Sequence, residues 1–384
     1  MRLECLENEN LNRMFGAVKQ YVQGRGVLKD LYGYAQEHGS RFMVIGSAHR
    51  LGVLDEKIRD SFKGHEDQLV YAPFSGECTR AEAARLAGIA KEKQCDCIIS
   101  VGGGKAADVA KAAANYDGEY PTLVVGTTPS CDGYMSGITV FYNDDHSADG
   151  IAFYMNSPVL VMIDLDIAIT SGERMLIAGM GDAISTFYEA RPVVEGHYHN
   201  YVDPQRGKFT NTSWALAKLT RDTLMDKGLQ AVLAARRGVI TPAYEDIVET
   251  TVLTSALGWQ NNGACTAHEM IYGFEALPGS DKHLHGEWVA FCTQCQLVLE
   301  NRPVEEIDQL VRWCMSVGLP VCFEDVDMPD ITPDQLDIIA DVAYEATGGV
   351  IHMHPFKVTK ELIKAAIQGA DEIGRLYRAG GSLI

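Results

Sequence analysis

The sequence predicts an N-terminal α/β nucleotide-binding domain on a parallel sheet, residues 1–168, followed by an all-α domain, residues 169–384. Two patterns carry this division. Short apolar, strand-like runs alternate with amphipathic segments through roughly the first 165 residues, which places helices on both faces of a parallel sheet. From about residue 172 onward, long helical segments take over and strand-like runs become scarce.

The elements follow in order. RFMVIGS (41–47) and QLVYAPF (68–74) are compact apolar runs. TRAEAARLAGIAKEKQ (79–94) has helical spacing, with apolar residues at 83, 86, 87 and 90 and Thr79 as its cap. CIISV then runs into GGGK and a further helix, and PTLVVG (121–126) and VLVMIDL (159–165) complete the strand-like set. Beyond the boundary, ERMLIAGMGDAISTFYEA, TNTSWALAKLTRDTLMDKGLQAVLAARRG and GEWVAFCTQCQLVLEN read as helices.

Bulk properties narrow the function. A net charge of -19 repels phosphate backbones and anionic membrane, so neither nucleic acid nor a membrane surface is an expected partner. The start, MRLECLENENLNRMF, carries acidic residues where a secretory signal would be basic and then apolar. No run reaches the ~18 apolar residues of a membrane span. A cytoplasmic protein is expected. The ten cysteines, including the Cys292–Cys295 CxxC inside an apolar helical run, read as buried structural thiols of a reducing compartment.

Gly102, Gly103 and Gly104 follow a strand end, where open parallel sheets bind ligands. Without side chains they let a pyrophosphate reach the backbone N–H groups, and the helix beginning near Lys105 points its positive end there. The run is neither GxGxxG nor a P-loop, and a tight turn without a ligand is the alternative reading. VVGTTPSCDGYMSG (124–137) follows a second strand, and its hydroxyls and small residues suit a nucleotide surface. Asp132 in its middle reads, on spacing alone, as a solvated turn residue.

Three segments of the second half combine metal-capable side chains with glycine. AGMGDAISTFYEAR offers Asp182, GACTAHEMIYGFEAL offers His268, and KHLHGEWVAF offers His285. Two histidines and a carboxylate leave a coordination position open, as a catalytic metal requires. Spacing alone does not select this set, because 11 histidines offer many triples.

YVQGRGVL (21–28), SGECTRAE (75–82), VGGGKAADVAKA (101–112), AGMGDAISTFYEAR (178–191), GFEALPG (273–279) and HLHGEWVAFCTQCQLVLENRP (283–303) together resemble the glycerol dehydrogenases of the iron-containing, or group III, alcohol dehydrogenase superfamily. Order and spacing fit over nearly the whole chain. The resemblance implies a dehydroquinate synthase-like fold, with the active site in a cleft between the two domains. It implies NAD-linked oxidation of glycerol to dihydroxyacetone with one divalent metal, usually Zn2+, with Fe2+ or Ni2+ as alternatives. It assigns the metal to Asp182, His268 and His285. It assigns the cofactor to Gly102, Gly103, Gly104, Lys105, Asp108, Thr127, Thr128 and Ser136. It lifts Asp132 from a turn residue to a substrate-side one, holding a hydroxyl or relaying a proton. The partners implied are a small alcohol or polyol and further copies of the chain, as a dimer or octamer.

Four departures from the family pattern matter. AHEMIYGF stands where AHAIHNGF is usual, so Ile271 replaces a histidine that lines the site and Tyr272 replaces an asparagine, adding bulk where the pocket should hold a small triol. TPSCDGY is also similar to glycerol-1-phosphate dehydrogenases, which keeps a phosphorylated polyol open as substrate; a dehydroquinate synthase-like lyase is the other alternative. The first strand ends in VIGSAHR rather than VIGD. Ser47 therefore stands where an aspartate would bind the adenosine ribose, and NADP becomes an alternative to NAD. The histidine segment is one residue short, which makes His283 a fallback for His285. His352 and His354 are expected to pack behind the site, and EGHYHN (195–200) reads as a surface loop.

Overall fold

The computed structural model describes residues 11–143, 148–346 and 348–384. It forms two compact units that are discontinuous in sequence. The first comprises Gly16–Leu176 with Ala234–Ala256, and the second comprises Met1–Phe15, Ile177–Leu233 and Leu257–Ile384. The chain therefore crosses between units at 176/177 rather than at the expected 168/169, and returns to the first unit for Ala234–Ala256.

The first unit is built on a six-stranded sheet. Its strands are β1 (Gln20–Gly24), β2 (Phe42–Gly46), β3 (Leu69–Pro73), β4 (Cys97–Gly102), β5 (Thr122–Gly126) and β6 (Leu160–Asp164). They lie in the order β1-β6-β5-β4-β2-β3, and every pairing is parallel. The apolar runs are continuous because both faces are covered. Phe42, Val44, Ile99 and Val101 enter one apolar cluster, while Met43, Ile45 and Ile98 enter the other. That alternation is the two-residue period of a strand with two buried sides.

Helices α1 (Ala48–Ser61), α2 (Arg80–Glu92) and α3 (Gly104–Ala114) follow β2, β3 and β4. The first two are capped by their preceding hydroxyl residues, Ser47 and Thr79, each accepting a backbone N–H one turn on. The GRG of the first motif is a turn. Gly26 takes a φ of 65°, and its N–H and that of Leu28 donate to the Asp164 carboxylate at the end of β6. Strand β1 and an antiparallel hairpin, Ile138–Tyr142 with Ala148–Phe153, were not among the predicted strands.

The second unit is mainly helical. Helix α4 (Glu173–Glu195) enters it from the first unit, and α5 (Asn211–Arg237) leaves it. Helices α6 (Thr266–Glu275) and α7 (His285–Leu299) pack on an aromatic core of Phe274, Trp288, Phe291 and Phe323. Cys292 and Cys295 lie inside this core as free thiols, as their apolar setting predicts. One short parallel pair, Asn12–Arg13 with Gly207–Lys208, belongs to the same unit. Among the described residues, no helix is long and apolar enough to cross a membrane.

Candidate functional site

Asp182, His268 and His285 converge. One ligand atom from each lies within 4.8 Å of the others. Asp182 Oδ1 is 3.4 Å from His268 Nε2 and 3.6 Å from His285 Nε2. Tetrahedral bonds of about 2.1 Å put neighbouring ligand atoms about 3.4 Å apart, so this spacing suits a cation of zinc's size.

The local sequence explains the convergence. Asp182 follows Gly181 on α4, and Gly286 follows His285 at the start of α7. A Cβ on Gly181 would collide with the Gly286 carbonyl, and a Cβ on Gly286 with the Ala178 carbonyl. The two helices touch backbone to backbone, and the residues beside the glycines, Asp182 and His285, are delivered to the same point. His283 is not part of the group. Its ring faces Glu287 and Asp327, and it packs edge-on to Trp288.

Glu189, two turns along α4 from Asp182, was not singled out in the sequence. Its Oε2 lies 2.5 Å from His268 Nδ1, and its Oε1 accepts the backbone N–H groups of Cys265 and His268. Burial would raise its pKa, but His268 and these N–H groups hold it below the ordinary carboxylate value.

A second constellation lies on the first unit. The chain order of the sheet reverses between β2 and β4, and their carboxyl ends carry Ser47 and Gly102–Gly104. Such a switch point is where open α/β sheets bind ligands. A Cβ on Gly102 would press on Ala106, and one on Gly104 on Cys131 Sγ, so the turn into α3 requires small residues. Thr127 N–H donates to the Gly102 carbonyl, while its hydroxyl is buried without a hydrogen-bond partner among the described residues. The Thr128 hydroxyl is shared with Ser130 and Tyr134.

Lys105 reaches out to Glu77 of the SGECTRAE segment at 2.6 Å. The Asp108 carboxylate is engaged within the protein, by Lys111 at 2.8 Å and by the Val140 N–H at 3.0 Å. Lys111, 2% exposed, also donates to the carbonyls of Gly133, Ser136 and Ile138. It thereby pins the loop that carries Asp132 and Ser136. Asp132 accepts a hydrogen bond from Ser255 at 2.8 Å, and Ser255 directly follows the π-helical turn Thr250–Thr254. Turns of this kind recur at functional sites. Ser47 is the cap of α1, with the exposed His49 beside it.

A family description, iron-containing alcohol dehydrogenase, matches residues 19–165. A glycerol dehydrogenase of Escherichia coli O6:H1 is 36% identical over 367 residues, covering 96% of this chain and 99% of that one. One from Citrobacter freundii is 35% identical, covering 94% and 97%. The chain belongs to the glycerol dehydrogenase family of the iron-containing alcohol dehydrogenases. The crystal structure of a probable glycerol dehydrogenase from Sinorhizobium meliloti superposes with a TM-score of 0.89 at 33% identity, covering 94% of this chain and 99% of that one. The family makes the protein an oxidoreductase, and nothing in these likenesses favours the phosphorylated-polyol or lyase alternatives.

Against the pattern of the glycerol dehydrogenase family, this member's departures take on structural meaning. Ile271 is 1% exposed and belongs to the apolar core of the helical unit. Tyr272, one helical turn after His268, is partly buried against the same core. His354 is buried, hydrogen-bonded to the Thr266 hydroxyl at 2.6 Å, and His352 contacts the Tyr344 carbonyl. EGHYHN does not behave as a surface loop throughout, because His199 and Asn200 are 1% and 0% exposed. Asn200 donates to the carbonyls of Met14, Lys208 and Asn261, a role that demands burial.

Proposed function

We propose that the protein is a divalent-metal-dependent dehydrogenase that passes a hydride between NAD and glycerol or a closely related small polyol. The observation that carries this is the convergence of Asp182, His268 and His285 within 4.8 Å in a chain of this family. A carboxylate and two imidazoles suit zinc best, with iron or nickel as the alternatives. When bound, the cation supplies Lewis acidity toward the substrate hydroxyl, and NAD, when bound, takes the hydride.

The chain's own groups bind and orient. Gly102, Gly103 and Gly104 present backbone N–H groups at the start of α3 to the pyrophosphate, with Lys105, Thr127, Thr128 and Ser136 around it. Asp108 serves the cofactor indirectly, through Lys111 and the loop that it holds. Asp132, oriented by the Ser255 hydroxyl, holds a neighbouring substrate hydroxyl and relays a proton. The enzyme works as a homo-oligomer in the cytoplasm. Ser47 leaves the ribose end free of the carboxylate that would repel a 2′-phosphate, so NADP is accepted alongside NAD. Introducing that carboxylate, Ser47→Asp, shifts the preference toward NAD; an unchanged NAD/NADP ratio rejects this part.

The decisive assay dialyses the protein against a chelator and then follows nicotinamide absorbance. Glycerol and a panel of diols, hydroxy acids and polyols are offered with each cofactor, with and without zinc. Zinc-restored turnover of glycerol with NAD is expected. Turnover of another member alone moves the substrate assignment to Tyr272. Absence of turnover with every metal, in both directions, rejects the reading.

A further inference from the structure

Helix α6 starts at Thr266, and its cap residue, Cys265, makes no side-chain capping bond. Glu189 supplies that cap from α4, accepting the N–H groups of Cys265 and His268 on one oxygen, each at 2.9 Å. Its other oxygen meets His268 Nδ1, while His268 Nε2 faces Asp182 at 3.4 Å. The carboxylate is 0% exposed, so three donors fix it without competition from water.

We infer that Glu189 is a positioning residue. It holds the His268 ring in the Nδ1–H form and at one angle, so that Nε2 presents its lone pair to the metal. The inference rests on the metal-centre reading above. The physical reason is the two-fold choice of a neutral imidazole, in which a proton on Nε2 removes the ligand atom. A carboxylate can only accept, so it draws the proton to Nδ1 and raises the basicity of Nε2. Glu189→Gln keeps the volume but brings an amide N–H that can donate to Nδ1 and leave the proton on Nε2.

The test uses the full chain freed of metal and titrated with zinc against a chromophoric chelator, with cobalt visible absorption as a second readout. Glu189→Gln is expected to bind zinc about 10- to 100-fold more weakly and to lose intensity in the cobalt bands. Glu189→Asp, which keeps the acceptor but withdraws it, is expected to fall between. In a His268→Ala background, Glu189→Gln is expected to add no further loss, because its effect passes through that ring. Wild-type affinity in Glu189→Gln overturns the inference, as does an equal loss with His268 absent, which would assign a capping role alone. If Glu189→Gln does not fold, wild-type zinc affinity in Glu189→Asp overturns it. Failure of the wild-type chain to bind zinc through Asp182, His268 and His285 rejects the metal reading itself and is seen before any Glu189 variant is compared.

Discussion

Gly181 and Gly286 meet where neither could carry a side chain, and each stands next to a candidate metal ligand in the chain, Asp182 and His285. Gly286→Ala therefore forces α4 and α7 apart at the point where Asp182 and His285 converge. The expected result is a stability loss of about 3 kcal/mol or more, with zinc affinity falling further than the melting temperature alone suggests. Thermal melts with and without zinc check this, and a variant that retains zinc normally contradicts it.

Cys131 is the one cysteine among the described residues that is not buried. It packs against Gly104 at the start of α3 and stands next to Asp132. A maleimide is expected to label Cys131 ahead of the other described thiols, and saturating NAD is expected to slow that labelling. Peptide mapping by mass spectrometry reads both. Labelling indifferent to NAD would remove this loop from the cofactor site.

Lys111 is an ammonium group enclosed by one carboxylate and three carbonyls. Lys111→Met leaves Asp108 without its cation and releases the 127–138 segment. A loss of about 3 kcal/mol is expected, together with a raised KM for NAD. Urea unfolding and cofactor titration measure the two effects. A change in stability with unaltered KM would confine Lys111 to the core.

His354 contributes to the acid limb of the stability curve. Burial, and then the nearby Arg302 charge, push its pKa from the usual 6.5 down to about 4. Between those values the unfolded chain binds a proton that the folded chain refuses. Stability from this group is complete above pH 6.5 and lost as pH falls toward 4, by about 3 kcal/mol at ~1.4 kcal/mol per pH unit. Denaturant melts of wild type and His354→Gln across that range should diverge in slope; parallel curves exclude the assignment.

Glycine-marked segments offered Asp182, His268 and His285 as metal-capable residues, but among 11 histidines only the family resemblance singled out this set. Five strands of the sheet were legible as apolar runs, whereas the edge strand β1, QYVQG and only half-buried, leaves no such run. Glu189, Lys111 and Ser255 were not legible, for a common reason. Each acts on groups distant in the chain, Lys111 on the Gly133, Ser136 and Ile138 carbonyls besides its neighbour Asp108, and each looks in the chain like one more helical polar residue. Asp108, assigned to the cofactor by the resemblance, has a carboxylate that also meets Lys111 and the Val140 N–H, contacts the chain order does not announce. Ile271 occupies a position read as lining the site and instead fills the core.

The discontinuity of the α/β unit has a consequence in time. That unit is not whole until residue 256 has left the ribosome, because Ala234–Ala256 is part of it. Asp132 waits for Ser255, 123 positions later. A nascent chain halted after Leu176 would own every strand of the sheet and every glycine of its loop, yet lack the hydroxyl that orients its aspartate. Dividing this protein into separately expressed halves at 176 would give a nucleotide-binding fragment born without one of its working parts.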